Sequence, residues 1–442
     1  MDKPKKIKKS LAASFWDGFF ASIQFGIIDQ FSTPLALFFG ANTFAIGILN
    51  FVRNSLVSIV QVKSADVTLR LKSRKKLLTA CVFLTAALWL PTFFLPFVFE
   101  EGLRIWIFIA LFSVTSSLNL FAGPAWGSLM SQYIPAAKRG AYFGWRGTVL
   151  GIIYSISVFL AGLALNYFNR INLFWGFAIL MLTASITRFM SWFFLTKMYE
   201  PRWKVKETDY FTFWDFIGKW RRSNFARFAI FSSLLTLGVA MASPFFSVYL
   251  LRELKISYSA FTIIITAAVV TSLITQRYWG IFADKYGNIK ILKLSAFLIT
   301  LIPLGWLVSS NLYYLFLLQL LAGFVWAGFT ISSSNFIYDV ATSTKRERCI
   351  AYFNFLSGAG LAIGSLIGGT IYGILPPLLG SRFLTLFLIS SVVRLVSAVL
   401  IRYFTHEVKN VQKAQVREFL FDLSGLRFIG LLSKELLVKG KK

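Results

Sequence analysis

The stretch WGIFADKYGNIK, Trp279 to Lys290, sets one aspartate and two lysines in a glycine-marked turn between two apolar runs. Those runs, near 258–282 and 290–309, are each long enough to cross a hydrocarbon core, which takes about 20 apolar residues in a helix. Ten more runs of that kind lie near 14–38, 44–65, 76–98, 104–131, 141–167, 172–197, 226–251, 313–340, 349–374 and 382–404. Core helices of a soluble domain would each show a polar stripe, whereas these are mostly apolar all round. The whole chain agrees, with 57% hydrophobic and 17% aromatic residues, 14% charged and a mean hydropathy of +0.67, far from a soluble globular domain.

The net charge of +28 reports topology. A nucleic-acid surface gathers its cations on one folded face, but these sit between apolar runs, so no nucleic-acid partner is expected. With both ends cytoplasmic, about 38 of the 46 Lys and Arg fall inside and about 5 outside, an excess that fixes orientation. The expected location is the cytoplasmic membrane, crossed many times. The start, MDKPKKIKKSLAASFWDGFF, has the basic region of a signal peptide, but its apolar run continues to about Leu37 with no small-residue cleavage site, so it reads as the first span. Cys81 and Cys349 fall near the cytoplasmic face, where thiols stay reduced.

Spacing divides the chain into four parts: a six-helix bundle over 1–197, a cytoplasmic linker over 198–225, a second six-helix bundle over 226–404, and a basic amphipathic tail over 405–442. The linker contains YFTFWDFIGKW, whose aromatic residues suit a helix lying on the membrane surface, and these basic segments suit anionic lipids. The bundles resemble each other at an offset near 210 residues. Thr33-Pro34 answers Ser243-Pro244, Ala141-Tyr142-Phe143 answers Ala351-Tyr352-Phe353, and Arg188 answers Arg394. An all-α membrane protein of two pseudo-symmetric bundles follows, the parallel-repeat plan of many secondary transporters.

Within that plan the opening stretch resembles the loop signature of the major facilitator superfamily, Gly-x-Leu-Ala-Asp-Arg-x-Gly-Arg-Lys. The chain matches at Gly280, Ala283, Asp284 and Gly287, with Lys285 in place of arginine, while Asn288 and Ile289 replace the basic pair. The resemblance implies the superfamily's fold and a cytoplasmic gate of Asp284, Lys285 and Asp339, the last standing where the family places the acid that meets the motif's basic residue. Asp284 would be held by the positive end of a helix in the opposite half. The equivalent first-half loop, SADVTLRLKSRKKLL, departs from the motif: Arg70 aligns with Asp284 and Ser73 with Gly287, although Arg74 and Lys75 keep the bases. A second resemblance, PAWGSLMSQYIPAAKRGAYFGWRG with Pro135 and Arg139, matches the family's connection from span four to span five and adds Arg139 to the gate residues. Span five, TVLGIIYSISVFLAG, lacks the proline-containing pattern that resembles drug-proton antiporters, which weakens that reading.

Charges inside spans are costly and mark a pathway or a pair. Asp29 and Arg53 each lie about nine residues from the outer ends of spans one and two, so antiparallel neighbours carry them to similar depth. They are the expected site of substrate binding or proton coupling, since withdrawing the arginine favours protonation of the acid. Arg188 and Arg394 lie deep in spans six and twelve, which the resemblance places outside the central cavity. Both are expected to be structural, donating to carbonyls or lipid phosphates. The resemblance assigns the cavity lining to spans one, four, seven and ten, whose polar and aromatic candidates are Gln24, Gln30, Asn119, Trp126, Thr236, Ser243, Trp326 and Asn335. Gly358, Gly360, Gly364 and Gly368 in span eleven have the small-residue spacing of close helix contact.

Enzyme chemistry is not expected: the one histidine, His406, stands without a ligand set, and no phosphate-binding glycine loop occurs, so neither cofactor nor metal is foreseen. The reading is a monomeric secondary transporter moving a small molecule by alternating access, with protons as the coupling ion. The alternatives are an uncoupled facilitator of the same fold and a flippase for lipid or lipid-linked cargo.

Overall fold

The structure, a computed structural model, describes residues 3–201, 212–340 and 346–408, the side chains of 3, 61–66, 69, 136–141 and 346–347 excepted. The tail after 408 and residues 202–211 of the linker lie outside the described residues, as does the side chain of Arg139. Among the described residues, twelve helices are long and apolar enough to cross a membrane. They are α1 (Lys3–Phe38), α2 (Thr43–Leu71), α3 (Arg74–Trp89), α4 (Glu101–Tyr133), α5 (Ala136–Phe168), α6 (Leu173–Thr196), α7 (Asn224–Ala240), α8 (Tyr258–Tyr286), α9 (Asn288–Gly305), α10 (Leu312–Val340), α11 (Arg346–Ile371) and α12 (Arg382–Phe404). The chain is an all-α, multi-pass membrane protein.

Local chemistry starts and stops these helices. Ser73, Asn172, Ser223, Ser257 and Ser381 each accept a backbone N–H of the first turn that follows them, which satisfies donors a helix start leaves open. Between α8 and α9 the turn is a single residue, Gly287, at φ +93. A side chain there would be strained, which is why the motif requires glycine. α1 begins earlier than the apolar run, at Lys3, because lysine and alanine are good helix formers.

The paired Thr-Pro and Ser-Pro steps do not build the same backbone. Pro34 lies inside an unbroken α1. In the second half α7 ends at Ala240, a short helix restarts over Ser243–Val248 with its proline in the first turn, and a π-helical turn covers Tyr249–Glu253. Proline is tolerated at a helix start because it has no N–H to lose.

An even number of crossings puts the start of α1 and the end of α12 on one face, the basic face. At the opposite face a single core joins the halves, with Phe31, Phe39, Leu165 and Phe177 of the first half packed among Val248, Tyr249, Phe261 and Phe387 of the second. At the basic face each half keeps its own core: Leu77, Val82, Leu129 and Leu195 in the first, Phe228, Leu292, Phe336 and Ile401 in the second. The hydrophobic cores of the two halves therefore merge at one end only. Outward-facing Leu160, Ile171, Trp175 and Val392 are exposed, an apolar belt suited to lipid.

Two cross-half contacts run along the bundle. α2 meets α11 at Gly47, where an added Cβ would stand 2.9 Å from both the Gly369 Cα and the Ser365 carbonyl oxygen. α5 meets α8 where Gly162 lies against Thr262. Within the second half, Gly360, Gly364 and Gly368 lie against the carbonyls of Ser233, Leu237 and Met241 on α7 and just beyond it, while Gly358 faces Ser58 of α2. At Gly47 the facing atoms are all backbone, so bulk there must push the halves apart. Gly47→Leu is expected to cost the closed arrangement about 1–3 kcal/mol, the usual penalty of overpacking. That corresponds to a population shift of about 5- to 150-fold toward opening at this face. Spin labels at Phe44 and Ile374, both exposed there, should then report a longer distance; an unchanged distribution contradicts the packing argument.

The linker's short helix, Phe213–Gly218, starts with a capping box. Thr212 and Asp215 exchange bonds: the Thr212 N–H donates to Asp215 Oδ2 at 2.9 Å and the Asp215 N–H to Thr212 Oγ1 at 3.1 Å. Hydrogen bonds from the Thr212 side chain and backbone hold the Asp215 carboxyl below its ordinary range. Phe213 and Phe216 pack on Tyr352, whereas Trp214 is exposed. The segment thus docks one face on the second half and turns an indole outward.

Candidate functional site

Asp29 and Arg53 meet as antiparallel geometry requires: Arg53 Nη2 lies 3.3 Å from Asp29 Oδ1, and both side chains are partly exposed, at 27% for Arg53 and 37% for Asp29. The guanidinium also stands over the Phe112 ring of α4, 5.1 Å from its centroid. One residue along α1, the Gln30 amide donates to the Tyr154 hydroxyl of α5 at 2.8 Å. Four helices of the first half therefore converge on an ion pair that solvent reaches.

A second cluster lies nearer the basic face, around a cavity of about 330 Å³ lined by residues of α1, α3, α4, α5 and α6. Its centre is Asp17, a buried carboxylate on α1. Asp17 Oδ1 accepts from Ser191 Oγ at 2.7 Å, and Ser191 Oγ accepts from Arg188 Nη1 at 3.3 Å. Arg188 also donates to Asn119 Oδ1 at 2.5 Å and lies 5.3 Å from the Phe25 centroid. From α5, Arg146 donates to the Ser14 carbonyl at 3.0 Å and stands 4.6 Å from the Trp126 ring. A serine thus mediates between acid and arginine, and the second arginine is cushioned by an aromatic face.

This cluster bears on two expectations. Arg188 lines this first-half cavity: it donates to Asn119 of α4 and to Ser191 one turn on along its own helix, and faces the Phe25 ring of α1. Arg394 donates to the carbonyls of Ile299 and Val239 at 3.3 and 3.4 Å. The eight lining candidates do not converge either. Asn119 and Trp126 line the cavity, Gln30 is engaged by Tyr154, and Gln24 is fully buried with neither amide atom bonded to a described residue. Thr236 donates to the carbonyls of Ser233 and Ser357, tying α7 to α11. Ser243 opens the short helix after the α7 break, Trp326 packs against the cores of the second half and the shared face, and Asn335 is half-buried. Asp17 and Arg146 were missed because they sit within a few residues of span ends, where a charge usually reaches water. The sequence signal was an acid and a base embedded in aromatic runs, ASFWDGFF and YFGWRG.

Among the gate residues, one contact lies within the second half. Asp339 accepts from Asn288 Nδ2 at 2.6 Å, so the asparagine that replaces the motif's base serves the expected acid. Asp284 and Lys285 are exposed on the last turn of α8 beside Gly287, and Lys285 Nζ lies 4.8 Å from the Tyr286 centroid; Gly280 lies one α-helical turn earlier with open space beside it. The first-half loop closes on its own bundle: Glu200, after α6, accepts from the Arg74 and Lys75 N–H groups at 2.7 and 3.3 Å and from Ser73 Oγ at 2.6 Å, and pairs with the Arg74 Nε at 3.7 Å. In the second half, Glu407, after α12, accepts from the Ile289 N–H at 2.7 Å. Neither acid was foreseen. Each puts a negative charge on a helix N-terminus, where the macrodipole favours it.

Residues 228–438 match the sequence family described as Major Facilitator Superfamily. The chain is similar to the vacuolar basic amino acid transporter 2 of Saccharomyces cerevisiae, 30% identical over 179 residues that cover 40% of this chain and 36% of that protein. It is also similar to the multi-drug resistance efflux pump PmrA of Streptococcus pneumoniae, 28% identical over 186 residues, 41% of this chain and 45% of the pump. Each match spans less than half the relative's length. Over 90% of the chain the fold superposes on 98% of a solved nucleoside transporter, NupG, with a TM-score of 0.67 at 15% identity.

Proposed function

We propose that the chain, whose residues 228–438 match the Major Facilitator Superfamily model, is a member of that superfamily and a secondary transporter moving a small molecule by alternating access, coupled to protons through Asp29 and Arg53. The observation that carries this reading is the pairing of one shared core at the opposite face with separate cores at the basic face. Charged groups stand between those ends, in the first half. With the basic face cytoplasmic, as the excess of Lys and Arg favours, this is an inward-open arrangement. Rocking the halves would close the basic ends and part the rings of the opposite face. The Arg74 side chain of the first-half loop is engaged inside its own bundle, so this reading places the gate on the α8–α9 turn and Asp339.

The ion pair supplies coupling chemistry. A carboxylate beside an arginine stays ionised, and it takes a proton when cargo or a helix movement draws the arginine away. The relatives' names include a basic amino acid transporter and a drug efflux pump, so counterflow in proteoliposomes should be run with labelled basic amino acids, nucleosides, drugs and organic anions. Exchange of one class above protein-free liposomes, with accumulation that collapses on adding protonophore, is the expected result. Exchange indifferent to protonophore leaves an uncoupled facilitator, scrambling of labelled lipid a flippase, and no flux of any kind removes the transport reading.

A further inference from the structure

We propose that the cavity around Asp17 binds an organic monoanion with an apolar body, a carboxylate-bearing aromatic acid being the simplest form, and that this is the class of cargo. The inference rests on the transporter reading and deepens it. Three charged groups line the cavity, one carboxylate and two guanidiniums, so with all three ionised the site carries one net positive charge. No ion pair joins Asp17 to either arginine among the described residues. The hydrogen bonds of Arg188 go to neutral Asn119 and Ser191, and that of Arg146 goes to the Ser14 carbonyl. Both arginines keep a buried Nε–H with no acceptor among the described residues, and Arg188 is 5% exposed.

A buried cation left without a counter-charge is costly, and an anionic ligand removes that cost while gaining charge-assisted bonds. The rest of the wall sets the ligand's body: Phe25, Leu78, Val82, Trp126 and Leu150 are apolar or aromatic. A volume of about 330 Å³ is at the small end of ligand pockets, room for a one- or two-ring acid. Asp17 has two effects. It lowers the site's charge to a single unit, which selects a monoanion over a dianion, and through Ser191 it holds the Arg188 fork in place.

The test uses the full-length protein in nonionic detergent, with thermal unfolding followed against 2-naphthoate, its neutral counterpart 2-naphthylmethanol, the cation tetraphenylphosphonium and inorganic phosphate. Naphthoate alone is expected to raise the midpoint. Arg188→Gln and Arg146→Gln should each weaken naphthoate by about 30-fold or more, the low end of what truncating one partner of a buried charge pair costs. Asp17→Asn should tighten it, since the site then carries two positive charges, and this variant keeps the test decisive where an arginine variant fails to fold. Equal stabilisation by the alcohol, by the cation or by phosphate overturns the proposal, as does naphthoate affinity unchanged within threefold in the arginine variants. Binding in detergent and flux in proteoliposomes fail separately: no flux of any solute sinks the transport reading, whereas naphthoate bound but never exchanged, or exchange of a neutral or cationic cargo without naphthoate binding, sinks this one.

Discussion

Glu200→Ala is expected to destabilise the first bundle by about 3 kcal/mol. The side chain is about three-quarters buried, and its partner Arg74 is entirely so. Removing one member of a buried pair costs about 3–5 kcal/mol because the remaining charge is uncompensated. The lower end applies because Arg74 keeps neutral acceptors in Ser128, Gln132 and the Pro201 carbonyl. Two backbone N–H groups at the start of α3 lose their acceptor at the same time. Glu407→Ala is the comparison at the second-half helix start: it removes the acceptor of the Ile289 N–H, and the lost cap contributes about 1 kcal/mol. Denaturant unfolding in detergent measures both. Equal losses in the two variants would show that capping, not the ion pair, accounts for the effect.

Asp29→Asn is expected to abolish gradient-driven accumulation while sparing exchange. Asparagine keeps the shape of the carboxylate and still offers Arg53 an oxygen at the 3.3 Å position of Oδ1, but it takes up no proton in the working range. One pH unit is worth about 1.4 kcal/mol, a tenfold ratio of cargo for one proton per cargo. The accumulation ratio should therefore fall from about tenfold per pH unit to one, with counterflow of the same solute within a few-fold of the unsubstituted protein. The measurement is uptake into proteoliposomes under an imposed pH gradient, with and without protonophore. Accumulation that survives in the variant removes Asp29 from coupling and turns attention to Asp17, the other carboxylate of α1 that bears on a buried arginine.

How far the sequence carries is visible in these two acids. Helix number and the repeat are written in the length of apolar runs, because a membrane leaves a backbone few ways to satisfy its hydrogen bonds. The Asp29–Arg53 pair was legible because depth along two antiparallel spans is a count of residues. Rotation about a helix axis is no such count, which is why Arg188 was assigned to packing and Asp17 passed over. Both depend on which way α1 and α6 face. Glu200 was hidden for another reason: it lies beyond the end of α6, and nothing along the chain shows that this end returns to the start of α3. The gate motif was recognised from its glycines and acid, while the service of Asn288 to Asp339 depends on a substitution that the motif treats as a departure.

The aromatic join between Phe31 and Phe261, at 6.2 Å, and between Phe177 and Tyr258, at 6.2 Å, bears on the protein's response to temperature. A lock made of hydrocarbon weakens as water is cooled, whereas one made of opposed charges weakens with added salt. The resting arrangement is thus held by a clasp that chilling loosens and electrolyte leaves largely untouched.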